Sequence, residues 1–365
     1  MKQHYFLKTL LLFTLFSVLL SCGGDDDNSD LYVPISPVSP VVVDLQNGAF
    51  NKLSDYHFFE GEMKAQNPSY KVIPYDLNST LFTDYAHKKR FVWMPQGSQA
   101  TYNADGKILE FPVGAVLIKT FYYDNVLPEN TTKIIETRLM IKMASGWKFA
   151  DYIWNDEQTE AYLDLNGSFK EISWVQDGTT MSTSYRIPSE FECHTCHKVA
   201  DQNMPIGPKP QNLNKNFTYT TGSANQLGKW VQEGYLSPNI PQNITSAIDW
   251  TDTSKPLELR VRSYLDINCA HCHSEGAHCS YRPMRFAFTE TTNPVNLGSC
   301  VEPNEPLPSQ TYIVARGQHL RSAMYYRMNA TDEAVRMPLM GRTVKHAEAL
   351  QMMKEWINSL DNPCP

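Results

Sequence analysis

The chain has 365 residues, 42% hydrophobic and 19% charged, which is enough apolar material for a sizeable core in two or three domains and excludes a largely disordered chain. A formal net charge of −7 removes the basic footprint that a nucleic-acid binder needs, and it suits docking with a basic protein partner.

In chain order, residues 1–21 read as an export signal. Lys2 and Lys8 stand near the start, and an apolar run from Leu10 to Leu20, too short to span a bilayer, precedes Ser21 and Cys22. The ending "LLSC" resembles the lipobox of bacterial lipoproteins, which implies that Cys22 is the lipidated first residue of the mature chain. "GGDDDNSD" follows, a solvated acidic spacer that also resembles the stretch directing lipoproteins of Bacteroidetes-type bacteria to the cell surface. Prolines 34, 37 and 40 then favour extended polyproline II, so residues 22–49 are expected to be a tether. The implied location is the outer membrane, facing the periplasm or the cell surface, with the N-terminal lipid as the membrane anchor.

Residues 50–185 are expected to form a β-rich domain. "AVLIKTFYYD" reads as one strand; "KIIETRLMIKM" and "WKFADYIW" flank Ala-Ser-Gly; "EAYLDL" and "FKEISWV" flank Asn166-Gly167. Such β-branched and aromatic runs, punctuated by turn residues, predict an antiparallel meander. The aromatic and charged stretch "YDLNSTLFTDYAHKKRFVWMPQG" is expected to be a packed edge of the same sheet rather than a ligand site.

Residues 186–254 and 255–365 each contain a C-x-x-C-H motif: Cys193, Cys196, His197 and Cys269, Cys272, His273. A cysteine pair at this spacing holds zinc, forms a redox disulfide or takes haem vinyl groups as thioethers; the adjoining histidine, able to reach iron, selects haem. Composition alone gives roughly 0.005 such motifs by chance in a chain like this. The two pairs are 72 residues apart, far beyond a zinc ribbon's usual spacing. The sequence therefore predicts two covalent haem c groups, with His197 and His273 as proximal iron ligands. Of Cys279, Cys300 and Cys364, the first two close the shorter loop and are the expected disulfide in an oxidising compartment.

Leu257, Val261, Tyr264 and Leu265 fall on one helix face leading into Cys269. Val344, Ala347, Leu350, Met353, Ile357 and Leu360 mark a final amphipathic helix, and "RMPLMG" lies between the two. This order resembles the class I cytochrome c fold over about residues 255–361, and the resemblance implies Met337 as the distal ligand of haem 2, with Met340 as the fallback. "NSTLFTDYAHKKRFVWMPQG", "FPVGAVLIKTF", "ECHTCH", "NQLGKW" and "YLDINCAHCH" together resemble a family of exported diheme c-type cytochromes across nearly all of the mature chain. The expected class is thus α+β, a β-rich N-terminal domain followed by a mainly α-helical cytochrome c-like haem region.

Haem 1 has no comparable scaffold. Pro188 argues against a long helix into its cysteines, and "NQLGKWVQEGYL" offers one short helix with Leu227, Trp230 and Val231 inward. Met204 is only seven residues beyond His197, and Met181 and His87 are reachable from the β region; His194 and His271, inside the motifs, are poor candidates. The two irons are therefore expected to be ligated differently. The expected function is electron transfer outside the cytoplasm with redox partner proteins and no catalytic residue. The alternative is a diheme peroxidase-like enzyme with an open site at haem 1, for which Glu190, Glu192 and His194 lie too close to the motif to serve as acid or base. A surface binding module with haems as structural staples is a third class.

Overall fold

The computed structural model describes residues 37–365. The signal segment, Cys22 and most of the tether lie outside the described residues. From Ser39 to Pro365 the chain forms one compact unit, and its class is α+β, with a β-rich region in the middle.

Eight antiparallel strands make the main sheet: β1 (Ile73–Tyr75), β2 (His87–Trp93), β3 (Val116–Val126), β4 (Thr131–Met143), β5 (Gly146–Trp154), β6 (Ala161–Leu163), β7 (Ser168–Gln176) and β8 (Thr179–Ile187). Strands β1 to β6 pair in sequence order as a meander, and β7 joins the far end of β3 through Val126 and Trp174. The hairpin at Ala144-Ser145 forms as expected, because β4 and β5 alternate apolar residues on both sides of it. Asn166-Gly167 does not close a hairpin. Strand β6 pairs with β5, and β7 pairs with β8 across Asp177-Gly178, a turn that leaves Trp174 and Tyr185 buried.

The two faces of the sheet bury different material. One face presents Ile118, Leu139, Ala150 and Trp154 to a cover made by Leu53, Tyr56 and Phe58. Val41, Val43 and Phe50 join this core, Val42 N–H donates to the Tyr56 carbonyl (3.1 Å) and Trp93 Nε1 donates to Ser39 (2.9 Å). The expected tether over 22–49 is corrected accordingly: from Ser39 onward the segment is part of the body, held by apolar burial that its spaced prolines conceal.

The opposite face carries Leu117, Lys119, Arg138, Met140, Phe149 and Asp151, brought into line by the β3–β4–β5 register. Against it lie α1 (Glu190–His197), the single turn α2 (Pro210–Leu213) and α3 (Gln226–Gln232). Leu213, Leu227, Trp230 and Leu236 share one core with Tyr75, Val92, Leu117 and Trp147. Residues 186–254 therefore have no core of their own, and the boundaries expected at 49/50 and 185/186 do not separate bodies.

The C-terminal region has its own apolar cluster. Helix α4 (Leu257–Asn268) contributes Val261 and Leu265, α5 (Ala323–Asn329) Met324 and Met328, and α6 (Ala347–Ser359) Leu350, Met353 and Ile357. The spacing of these residues predicts α4 and α6 correctly, though α6 begins at Ala347, beyond Val344. The disulfide joins Cys300 to Cys364 (Cα–Cα 5.2 Å), not Cys279 to Cys300, and Cys279 is a buried free thiol. Loop length was the wrong criterion: Ile313 and Val314, in the core beneath α6, lie beside Cys300, whose N–H donates to the Val314 carbonyl, and the chain end returns there. Among the described residues no helix is long and apolar enough to cross a membrane.

Candidate haem-attachment sites

The first motif sits on α1. Ser189 caps the helix in a reciprocal box: its Oγ accepts from Glu192 N–H, and Glu192 Oε2 accepts from Ser189 N–H (3.0 Å). The signal "S-E-F-E" was in the sequence and marks the helix start just after Pro188. Residues spaced by three and four share a helix face, so Cys193, Cys196 and His197 point the same way. All three line one cavity, open at its mouth, between α1 and the sheet.

The His197 ring has one nitrogen tied to the backbone and the other left over. Its Nδ1 lies 2.8 Å from the Met204 carbonyl, which only accepts, so Nδ1 carries the proton and Nε2 is the free lone pair. Burial, with Lys119 nearby, pushes the imidazole down to about 3, keeping it neutral. Phe149 packs edge-on against the ring, centroids 5.3 Å apart. Burial pushes the Cys193 thiol up to about 11.

The same cavity wall holds a row of charge that the sequence alone did not single out. Lys119, Arg138 and Asp151 stand side by side across β3, β4 and β5, and Arg186 adds a further cation. Arg138 Nε donates to Glu136 Oε2 (3.0 Å) and stands 3.5 Å from Asp151. Burial raises the Asp151 carboxyl well above its ordinary range, and the adjacent Glu136 adds to it. Burial pushes Lys119 down to about 7, reinforced by Arg138 and Arg90.

The second motif follows directly on α4. The His273 N–H donates to the Cys269 carbonyl (3.0 Å), which continues the helical turn through the motif. Cys269, His273 and Met337 line a second cavity, open at its mouth, with Met324, Met328 and Phe286 among its apolar walls. His273 is buried and pushed down to about 4 by burial, then by His271; its Nδ1 is a buried polar atom without a partner. Cys272 is not on this wall: its Sγ lies 3.6 Å from the Thr195 carbonyl of the first motif.

The two motifs are adjacent in space. The Ala200 N–H donates to the Gly276 carbonyl (2.9 Å), and Val199 bridges Ala277. Cys196 Sγ, Cys272 Sγ and a His271 ring nitrogen all lie within 4.8 Å of one another. A hydrogen bond from Cys272, outweighing burial and aided by His271, holds the Cys196 thiol well below its usual range.

Each sequence-derived candidate has a definite place. Met337 shares a cavity with His273, whereas Met340 lines the cavity of His197. Met204 sits beside His197, its N–H bonded to the His197 carbonyl and its own carbonyl accepting from Nδ1, and its side chain does not line the His197 cavity. Met181 packs beside Tyr185 and Trp174, and His87 is exposed near Asp124 (3.8 Å); neither lines the His197 cavity. His194 bonds Asn203 (2.9 Å). The stretch expected to be only a packed edge does more, since Leu81, Phe82 and Thr83 form part of the same wall.

The donor chemistry fits two haems: the first cavity presents Cys193, Cys196 and a neutral His197, and the second presents Cys269, a neutral His273 and Met337, with Cys272 turned toward Cys196 at its edge. Comparison with protein-family models, with curated proteins and with solved structures found no match to this chain.

Proposed function

We propose that this chain is an exported diheme c-type cytochrome that relays electrons between redox partner proteins outside the cytoplasm. The observation that carries this reading is the meeting of two C-x-x-C-H motifs from separate parts of the chain, each with its histidine in its own cavity and their cysteines side by side. When bound, haem c supplies a one-electron ferric–ferrous couple. Cys193 and Cys196 would hold the first group and Cys269 and Cys272 the second, while His197 and His273 would offer each iron a nitrogen. The Met204 carbonyl fixes the tautomer of His197, and Met337, in the cavity of His273, would offer the second iron a soft sulfur, a donor that favours the reduced state. Lys119, Arg138 and Arg186 line the first site and would offer N–H groups to the acidic side groups of a haem there. The arrangement of α4, motif, α5, Met337 and α6 is a class I cytochrome c-like module in this reading, and the whole resembles the exported diheme family named above.

The test is cofactor content. Protein matured in a host competent for haem c attachment is expected to gain the mass of two haems and to retain them through denaturing gels. One haem per chain, or zinc bound at Cys196, His271 and Cys272 with free thiols, refutes the reading.

A second reading, peroxide reduction at haem 1, is favoured by Arg138 and the raised Asp151 on the cavity wall, a cation and an acid that the sequence reading did not supply. Turnover of hydrogen peroxide at enzyme-like rates by the two-haem protein would establish it in place of the carrier.

We also propose that Cys22 carries the lipid that places the protein on the outer membrane. Cys22→Ala is then expected to move the chain from the membrane to the soluble fraction; retention in washed membranes contradicts the assignment.

A further inference from the structure

The loop "RMPLMGRTV" stands between both cavities. Met337 lines the one containing His273, Met340 lines the one containing His197, and Pro338 lines both. We infer that Met340 is the distal ligand of haem 1, so that one loop supplies a sulfur to each iron and the two are ligated alike. This rests on the diheme reading and deepens it.

The loop is held at both ends. Arg342, buried, donates through Nε and Nη2 to the Met337 carbonyl (3.1 and 2.9 Å) and through Nη2 to Ala330 (2.8 Å). On the other flank the Asp84 carboxylate accepts from Thr343 N–H (2.7 Å) and Val344 N–H (3.0 Å). Asp84 directly follows Thr83, so the Leu81–Thr83 and Pro338–Gly341 walls are tied together. A fixed loop presents a ligand without the rearrangement that would slow electron exchange.

The competing donors on this cavity are placed elsewhere around it. Met140 is in register with Phe149, the ring packed on His197, and so belongs to the proximal side with Met204. His271 lies within 4.8 Å of Cys196 Sγ, which puts it at the thioether edge rather than over the ring face. Lys119 stands in the row with Arg138, where an ammonium meets acidic side groups. Met340 is a neutral, soft donor on a wall built from the other end of the chain. Thioether with imidazole gives low-spin iron and a raised potential.

The test uses the full-length protein shown by mass to hold two haems, and reads the sulfur-to-iron charge-transfer band of the oxidised state with electron paramagnetic resonance. Met337→Ala and Met340→Ala are each expected to halve the band, and Met340→Ala to lower one reduction potential while leaving the other in place. Met340→His is expected to restore the low-spin signal at a lower potential, and Met140→Leu to leave the sulfur-to-iron band undiminished. Complete loss of the band in Met337→Ala, or an undiminished band in Met340→Ala, overturns the assignment while leaving the diheme reading intact. Should Met340→Ala fail to retain both haems, Met340→His is read alone, and an undiminished sulfur band there overturns the assignment. A wild-type chain without two haems overturns both readings.

Discussion

Arg342→Lys is the most informative stability test, because Arg342 holds its loop almost entirely through carbonyls. Its guanidinium reaches the carbonyls of Met337, Val344, Arg327, Met328 and Ala330 at 2.8 to 3.2 Å, and the residue is 4% exposed. Among the described residues no carboxylate forms an ion pair with it, so these dipoles replace its water. Arginine has five N–H groups and lysine three, so the substitution strands about two carbonyls. A hydrogen bond to a charged group is worth about 1.5–3 kcal/mol, which puts the loss at ~3–6 kcal/mol, nearer 3 once the loop relaxes. With an unfolding entropy of ~2.1 cal/mol/K per residue over roughly 330 residues, 3 kcal/mol corresponds to a fall in Tm of about 4 °C. Urea unfolding followed by far-ultraviolet circular dichroism reads this directly. A loss below about 1 kcal/mol would show that water or a rearranged loop satisfies those carbonyls, and would refute the reasoning.

Three further outcomes follow from His346 and the cysteines. His346 lies stacked on Phe82, centroids 3.9 Å apart, and burial, with Lys88 and Arg342 adding repulsion, pushes its imidazole down to about 3. Between that value and the ordinary 6.5 only the unfolded chain binds the proton, so stability is lost as pH falls from 6.5 toward 3. His346→Phe is expected to remove that slope, gaining about 3 kcal/mol on wild type between pH 7 and pH 4 in paired urea titrations; a gap that does not change with pH contradicts the assignment. Cys364→Ser opens the bond to Cys300 across a separation of 64 residues, with an expected loss of about 4 kcal/mol. Cys279→Ser is expected to leave the disulfide in place, and a loss equal to that of Cys364→Ser would favour the shorter loop instead.

Several features were legible in the sequence because they depend on residues close together in the chain. The apolar spacing of Val261, Tyr264 and Leu265, and of Leu350, Met353 and Ile357, predicts two helices that the structure contains. The Ala-Ser-Gly hairpin follows from local turn chemistry. Asn166-Gly167 carried as strong a local signal and still lost, because β7 gains more by burying Trp174 between β3 and β8. The Ser39–Phe50 segment looked like a tether, since no local signal reports that Tyr56 and Trp93 wait to receive it.

The sequence by itself determined the two C-x-x-C-H motifs, the histidine beside each, and the α+β class, since each of these is a matter of short spacing and local periodicity. Only the tertiary structure decided what surrounds the motifs. Period-two alternation says that Lys119, Arg138 and Asp151 share a face of the sheet, but not that α1 and the Pro338–Gly341 loop cover that face. It likewise separated Met337 from Met340, neighbours in sequence that line different cavities, and brought Cys196 against Cys272. The reason is physical: a side chain's period sets its direction from its own element, while what it meets is set by how distant apolar surfaces pack together.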